Sequence, residues 1–334
     1  MERIKRWLHG HAEHATVAFI PDCDAEPLQP GGGYLRLWLA EGFLDIGTSW
    51  GAGQFPALHG VVSYPLLGRG PSSYSTLSRP QMTPGSRHDF PITPLLPYHG
   101  GVIEIDAALY KVVSGSPLVT ALQLIGALEP LLGPPLDIAA TVAERLGDGI
   151  QSVLDTSEQE PLLALHQALV APGGNGTVVR SGYCIILAAS QDKLQAAPSI
   201  QEGRLVLDAA AGPYQPTGTD YMVLRVECRT QRDDWNFPYL DALIAASAEA
   251  YLTGQQARFE SLRTEAILRA YNSPDLVPID RKRVAILVTE RIDEIKQLGI
   301  VPAQTGTLAQ LAPHRLMSSD APELSSLTLH ELLR

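Results

Sequence analysis

Three of the nine histidines in this 334-residue chain stand within six residues of one another near its amino terminus. They are His9, His11 and His14, in the stretch HGHAEH. Imidazole nitrogens are common zinc ligands, and a catalytic zinc site uses three protein ligands with an activated water in the fourth position. The spacing therefore raises a metal-dependent hydrolase as one hypothesis.

The pattern His-x-His-x-x-His resembles the zinc motif of the metallo-β-lactamase fold, with Glu13 where that family has aspartate. The resemblance implies zinc bound by the three histidines, and it covers six residues. In that family a buried strand and a turn precede the motif and orient its ligands. Here only eight residues precede His9, and MERIKRWL has the pattern of a short amphipathic helix. A mobile leader over 1–14 cannot supply the groups that orient zinc ligands, so we expect no metal and no other cofactor.

A second hydrolase hypothesis rests on Ser49 in GTSWG, which matches the G-x-S-x-G pattern of a nucleophile elbow. That elbow requires a strand that turns directly into a helix. The residues that follow include Gly53 and Pro56 and do not favour a helix. We therefore expect Ser49 to lie in a turn, and a hydrolase using Ser49 or the histidines stays an alternative function.

The elements available to position such residues are mainly β-strands. YLRLWL alternates apolar and polar side chains from Tyr34, and YMVLRVECRT does so from Tyr221. The alternation of VIEIDAALYKVV changes phase, which predicts a bulge near Ala107 and Ala108. The sequence thus predicts an α+β fold with a mainly antiparallel β-sandwich or barrel-like body over 15–232.

A helical insertion interrupts this body at about 116–171. Ser116 and Pro117 are suitable residues for the start of its first helix, and EPLLALHQALV at its end predicts a third helix. The segment 117–136 has Glu129 as its only charge. A membrane-perturbing effector that uses this segment is therefore a further alternative. Its apolar residues that would contact a membrane or a partner are Leu118, Leu122, Leu124, Ile125 and Leu128.

The remainder of the chain predicts a helical module over 233–300 and a flexible tail over 301–334. Apolar stripes at helical spacing begin at Leu240 and Val284. The tail ends in a short apolar helix in which Leu329, Leu332 and Leu333 form an L-x-x-L-L pattern, typical of helices that bind grooves. We predict that these leucines and Trp235 contact a partner protein.

Composition excludes several function classes. The 36 acidic residues outnumber the 25 basic ones, and no basic cluster suited to nucleic acid is present beyond the short run Arg281–Arg283, which we predict to lie on a helix. The chain lacks a P-loop motif, and its amino terminus lacks the pattern of a signal peptide. Its three cysteines have no paired spacing, which favours the cytoplasm. The leading hypothesis is a non-enzymatic adaptor or structural component of a bacterial-type multi-protein assembly, with other proteins as partners and a membrane not favoured.

Overall fold

The computed structural model describes two compact units. It covers residues 2–11, 14–44, 53–65, 71–79, 87–128, 136–157, 160–190, 194, 196–210, 212–216, 218–298 and 307–334, without some side chains inside those ranges. The first unit comprises Met1–Gly133 and Ile138–Arg229, and the second comprises Pro134–Asp137 and Thr230–Arg334.

The first unit is rich in strands. Its helices are α1 (Glu2–His11), α2 (Pro117–Leu128) and most of α3 (Leu136–Ser157). Its described strands are β1 (Thr16–Pro21), β2 (Tyr34–Phe43), β3 (Gln54–Pro65), β4 (Pro71–Ser78), β5 (Arg87–Pro91), β6 (Leu96–Pro97), β7 (Ile103–Val113), β8 (Pro161–Val170), β9 (Thr177–Val178), β10 (Gly182–Leu187), β11 (Ala197–Gln201), β12 (Arg204–Ala209), β13 (Gly212–Tyr214) and β14 (Tyr221–Arg229).

These strands form three sheets. The first has the order β1-β10-β14-β2-β5 with β6 also paired to β2, the second β4-β3-β7-β8-β9, and the third β11-β12-β13. Every pairing is antiparallel except that of β8 with β9. The predicted α+β class with mainly antiparallel sheets is confirmed, and no sheet in the described part of the chain closes into a barrel.

Ile92 and Glu41 show how closely the first sheet packs against the second and third sheets. Ile92 follows β5 and donates its N–H to the Leu37 carbonyl of the first sheet at 2.8 Å. A Cβ added at Gly60, on β3 of the second sheet, would lie 2.8 Å from Cγ2 of Ile92, so only glycine fits there without a shift. Glu41 of β2 is buried and accepts hydrogen bonds from the Leu205 N–H of the third sheet and the Tyr221 hydroxyl.

The residues Pro161–Val170 form a strand, so the third helix that we predicted for the insertion is wrong. They make β8, which pairs with β7 so that Leu163 lies opposite Leu109. Leu163, Leu165 and Leu169 are fully buried. A short apolar run suits either a strand or a helix, and here the backbone groups of β7 need a partner strand. The bulge that we predicted in β7 near Ala107 and Ala108 is wrong, because β7 pairs with β3 without a register shift. The irregularity lies on β8, where Leu162 has no partner between the pairs Leu109–Leu163 and Tyr110–Pro161.

Helix α1 packs against strands of the first unit, whereas we expected residues 1–14 to form a mobile leader. The helix is amphipathic as predicted, and it contacts β7 and β8. Ile4 is 1% exposed and Trp7 is 9% exposed. Burying two large apolar side chains stabilises the docked helix by several kcal/mol, on the order of 1.5–3 kcal/mol for each residue.

The second unit is helical. Its helices are α4 (Pro238–Leu252), α5 (Gln256–Tyr271), α6 (Pro278–Leu298), α7 (Leu308–Arg315), α8 (Pro322–Ser326) and α9 (Leu329–Leu332). The predicted stripes that begin at Leu240 and Val284 both enter its core. Gly254 has a φ of 71°, the left-handed conformation that glycine readily adopts just after a helix.

The carboxyl-terminal residues 307–334 form three short helices that pack on the second unit, whereas we expected a flexible tail over 301–334 with one short terminal helix. Leu308, Leu324 and Leu332 each bury an apolar side chain from one of the three last helices. Side chains of α6 bind carbonyl oxygens of this segment. Arg283 donates to the Met317 carbonyl at 2.6 Å and Lys282 to the Leu324 carbonyl at 2.7 Å.

Candidate functional site

A cavity of about 560 Å³ opens on the second unit between α4, α6 and the start of α7. Its floor is formed by Ile244, Ala248, Arg291, Ile295 and Leu308, all of which are buried. Its volume lies within the range of cavities that hold small molecules or large side chains of a partner.

The rim of the cavity is open to solvent. Ala245, Glu249, Leu252, Thr253 and Thr307 line it and are exposed. The large apolar residue Leu252 lines this rim and is 52% exposed. The site is therefore an open groove whose floor is apolar except for Arg291.

Asp241 lies at one end of this groove. Its Oδ1 accepts a hydrogen bond of 2.9 Å from the Leu308 N–H, at the first turn of α7. An acidic side chain is favourable there because the first N–H groups of a helix lack partners within the helix. Burial raises the pKa of Asp241 above its ordinary value, and the bond from Leu308 acts in the opposite direction.

Arg291 brings a buried cation to the floor, and a carboxylate neutralises it. Its guanidinium donates to Glu294 at 2.8 Å. Glu294 also accepts a hydrogen bond from Arg315. Burial alone would raise the pKa of Glu294, but its bonds to both arginines lower this pKa overall.

The polar groups that line the cavity are mainly carboxylates and hydroxyls, from Asp241, Glu249, Thr253 and Thr307. The described lining contains no serine, cysteine or histidine. The Thr253 hydroxyl donates to the Glu249 carbonyl at 2.8 Å.

The first unit holds a second group of polar residues, on β3, β4, β7 and β8. Nε2 of His59 lies 3.0 Å from the Ser75 hydroxyl, and Nδ1 of His166 donates to Oδ1 of Asp106 at 2.9 Å. Asp106 is fully buried, and burial raises its pKa although His166 acts in the opposite direction. The register places Asp106 directly opposite His166.

This polar group is closely packed at Ser75, whereas the His166 side chain is 30% exposed. Ser75 is 2% exposed, and a Cβ added at Gly147 of α3 would lie 3.2 Å from the Ser75 Cβ. Burial lowers the pKa of His59 to about 3, so the imidazole stays neutral and is a weak base near pH 7. The serine and histidine therefore hold strands and a helix together in this conformation.

The three histidines that suggested a zinc site are exposed on and just after α1. Nδ1 of His11 donates to the Trp7 carbonyl at 2.9 Å, and the His11 ring stacks on Trp7. Among the described residues, His9, His11 and His14 included, no group of three or more histidine, cysteine or acidic residues has an arrangement that could hold a metal ion.

The structure informs only part of the other two alternatives. Ser49 lies outside the described residues, as do the side chains of Leu124, Ile125 and Leu128. In α2, Leu118 is fully buried and Leu122 is half-buried. No helix in the described ranges is long and apolar enough to cross a membrane.

The carboxyl-terminal leucines pack on the chain itself, so the accessible apolar tail that we expected is wrong. Leu332 is 6% exposed in the core of the second unit, and Leu329 and Leu333 pack against that core. Trp235 also packs there, with the Arg283 guanidinium 5.5 Å from its ring centre. A partner would reach Leu332 only after α9 moved, and partner binding by these four residues stays a prediction.

Sequence reasoning missed the cavity residues Asp241, Glu249 and Arg291. Asp241 and Glu249 lie on one face of α4, and Ala245 lies between them, four residues from each. An alanine between two acids on one helix face was the available signal. No family model, curated protein or solved structure matches the chain.

Proposed function

We propose that the chain is a non-enzymatic adaptor in a multi-protein assembly, and that its second unit binds a segment of a partner protein. The observation that carries this proposal is the open groove between α4, α6 and α7. The occupant is a short segment that places one large apolar side chain, such as leucine or tryptophan, on the floor formed by Ile244, Ala248 and Ile295. Helix-lined grooves commonly bind partner segments through such anchoring residues.

The exposed rim supports a peptide over an enclosed small molecule. Ala245, Leu252 and Thr253 are exposed along one side of the groove, so a partner segment can reach the floor from solvent. We also propose the cytoplasm as the compartment, because Cys23, Cys184 and Cys228 form no disulfide.

A pair of substitutions on α4 tests the groove. Purified full-length protein selects binders from a displayed library of random heptapeptides, and the enriched peptides are titrated against two variants. Ala245→Trp fills the groove from its rim, and Ala242→Trp adds the same side chain at an exposed position that does not line it. We expect the first change to weaken binding at least about tenfold, because it occupies the space of the anchoring side chain, and the second to leave Kd unchanged.

Three results would overturn the proposal. The library yields no enriched peptide, or the enriched peptides bind the Ala245→Trp protein as tightly as the original. The third is release of a small apolar compound from purified protein on denaturation, if the Ala245→Trp protein lacks that compound. Circular dichroism of both variants verifies that α4 stays folded.

A further inference from the structure

Two carboxylates line the groove, and the cation in its floor forms an ion pair with neither of them. Asp241 and Glu249 are eight residues apart on α4, so both lie along the groove with Ala245 between them. The Asp241 carboxylate accepts one backbone hydrogen bond. Within the described part of the chain, the exposed Glu249 carboxylate has neither a hydrogen bond nor an ion pair.

Arg291 is the cation in the described lining, and its guanidinium already pairs with a carboxylate of the chain itself. Glu294 binds it at 2.8 Å and also binds Arg315. A carboxylate ligand would therefore have to compete with Glu294 and would face Asp241 and Glu249 as like charges. The chain as a whole has a net charge of −11, which adds to the attraction of a cation.

We propose that the groove selects a partner segment in which a lysine or arginine stands next to the large apolar residue. This inference rests on the proposed function and names the chemistry of the partner. The apolar side chain fills the floor, and the adjacent cation lies between Asp241 and Glu249. Charge at a rim sets which partner binds and how fast, while the buried apolar group supplies most of the affinity.

The test uses the same displayed heptapeptide library and a protein with both rim charges removed. Asn at position 241 retains an oxygen that accepts the Leu308 N–H, so Asp241→Asn with Glu249→Gln removes charge and keeps the hydrogen bond. With the original protein we expect basic residues next to the apolar anchor to exceed acidic ones at least about threefold. The doubly substituted protein enriches the same apolar anchors without this excess.

A matched control is Glu323→Gln, which removes an exposed carboxylate of α8 outside the cavity lining and keeps the basic preference. The inference is wrong if the original protein shows no excess of basic over acidic residues, or if the excess persists in the double variant. In both cases apolar anchors still enrich, and the proposed function stands. Failure to enrich any anchor overturns the proposed function and this inference together.

Discussion

His59 is a neutral histidine in the interior of the first unit, and this gives the fold a sensitivity to acid. The side chain is 3% exposed and is hydrogen bonded to Ser75. Burial lowers its pKa from 6.5 to about 3. Above pH 6.5 both the folded and the unfolded chain carry a neutral imidazole. Between pH 6.5 and 3 only the unfolded chain binds the proton, so the free energy of unfolding falls as the pH falls.

We therefore predict that His59→Gln removes part of the acid sensitivity. Between pH 7 and pH 5 the original protein loses about 2 kcal/mol more free energy of unfolding than the variant. Glutamine is the suitable replacement because its amide can hydrogen bond to Ser75 and does not titrate. Urea unfolding followed by circular dichroism at both pH values measures the difference. Equal losses in the two proteins would show that His59 titrates normally in the fold.

The candidate groove shows why single residues of a site escape sequence reasoning. Asp241 and Glu249 are separated from Arg291 by more than forty positions, and only the packing of α4 on α6 brings them to one cavity. The histidine cluster is the opposite case, since its residues are adjacent in sequence and nothing in the described chain completes a metal site. Local spacing therefore suggested a group of ligands that the described residues do not assemble.

At the scale of elements, long runs of alternating side chains and long apolar helical stripes predicted the correct type of element. β2, β14, α4 and α6 lie where their patterns predict them. β8 was missed because its ten residues suit both periods, and the choice depends on β7, which lies far away in sequence. The docking of α1 was missed for a similar reason, because the surface that receives Ile4 and Trp7 includes β8.

The docked position of α1 leads to a stability prediction. Trp7→Ala should lower the free energy of unfolding of the first unit by about 3 kcal/mol, because it removes a buried aromatic side chain and its stack on His11. His9→Ala is the control, since His9 is exposed on the same helix and should change stability by less than about 0.5 kcal/mol. Thermal unfolding compares the three proteins. If Trp7→Ala leaves the stability of the first unit unchanged, α1 is undocked in solution.

The whole molecule contains separate hydrophobic cores. One core lies entirely in the second unit and includes Phe259, Val288 and Leu332. Another lies in the first unit, where Ile185 and Leu205 bury the contact between the first and third sheets. Because each unit buries its own apolar residues, each has the means to unfold as a separate cooperative transition.

A substitution at Leu332 tests whether the carboxyl terminus stabilises the second unit or only binds a partner. Leu332→Ala should lower the stability of the second unit by about 2 kcal/mol, because the side chain is 6% exposed in that unit's core. In calorimetry the transition of the second unit moves to lower temperature, while the transition that responds to Trp7→Ala stays in place. His330→Ala, an exposed change on α9, should move neither. If Leu332→Ala left both transitions unchanged and weakened a partner complex, the terminal leucines would act as a docking motif and not as part of the core.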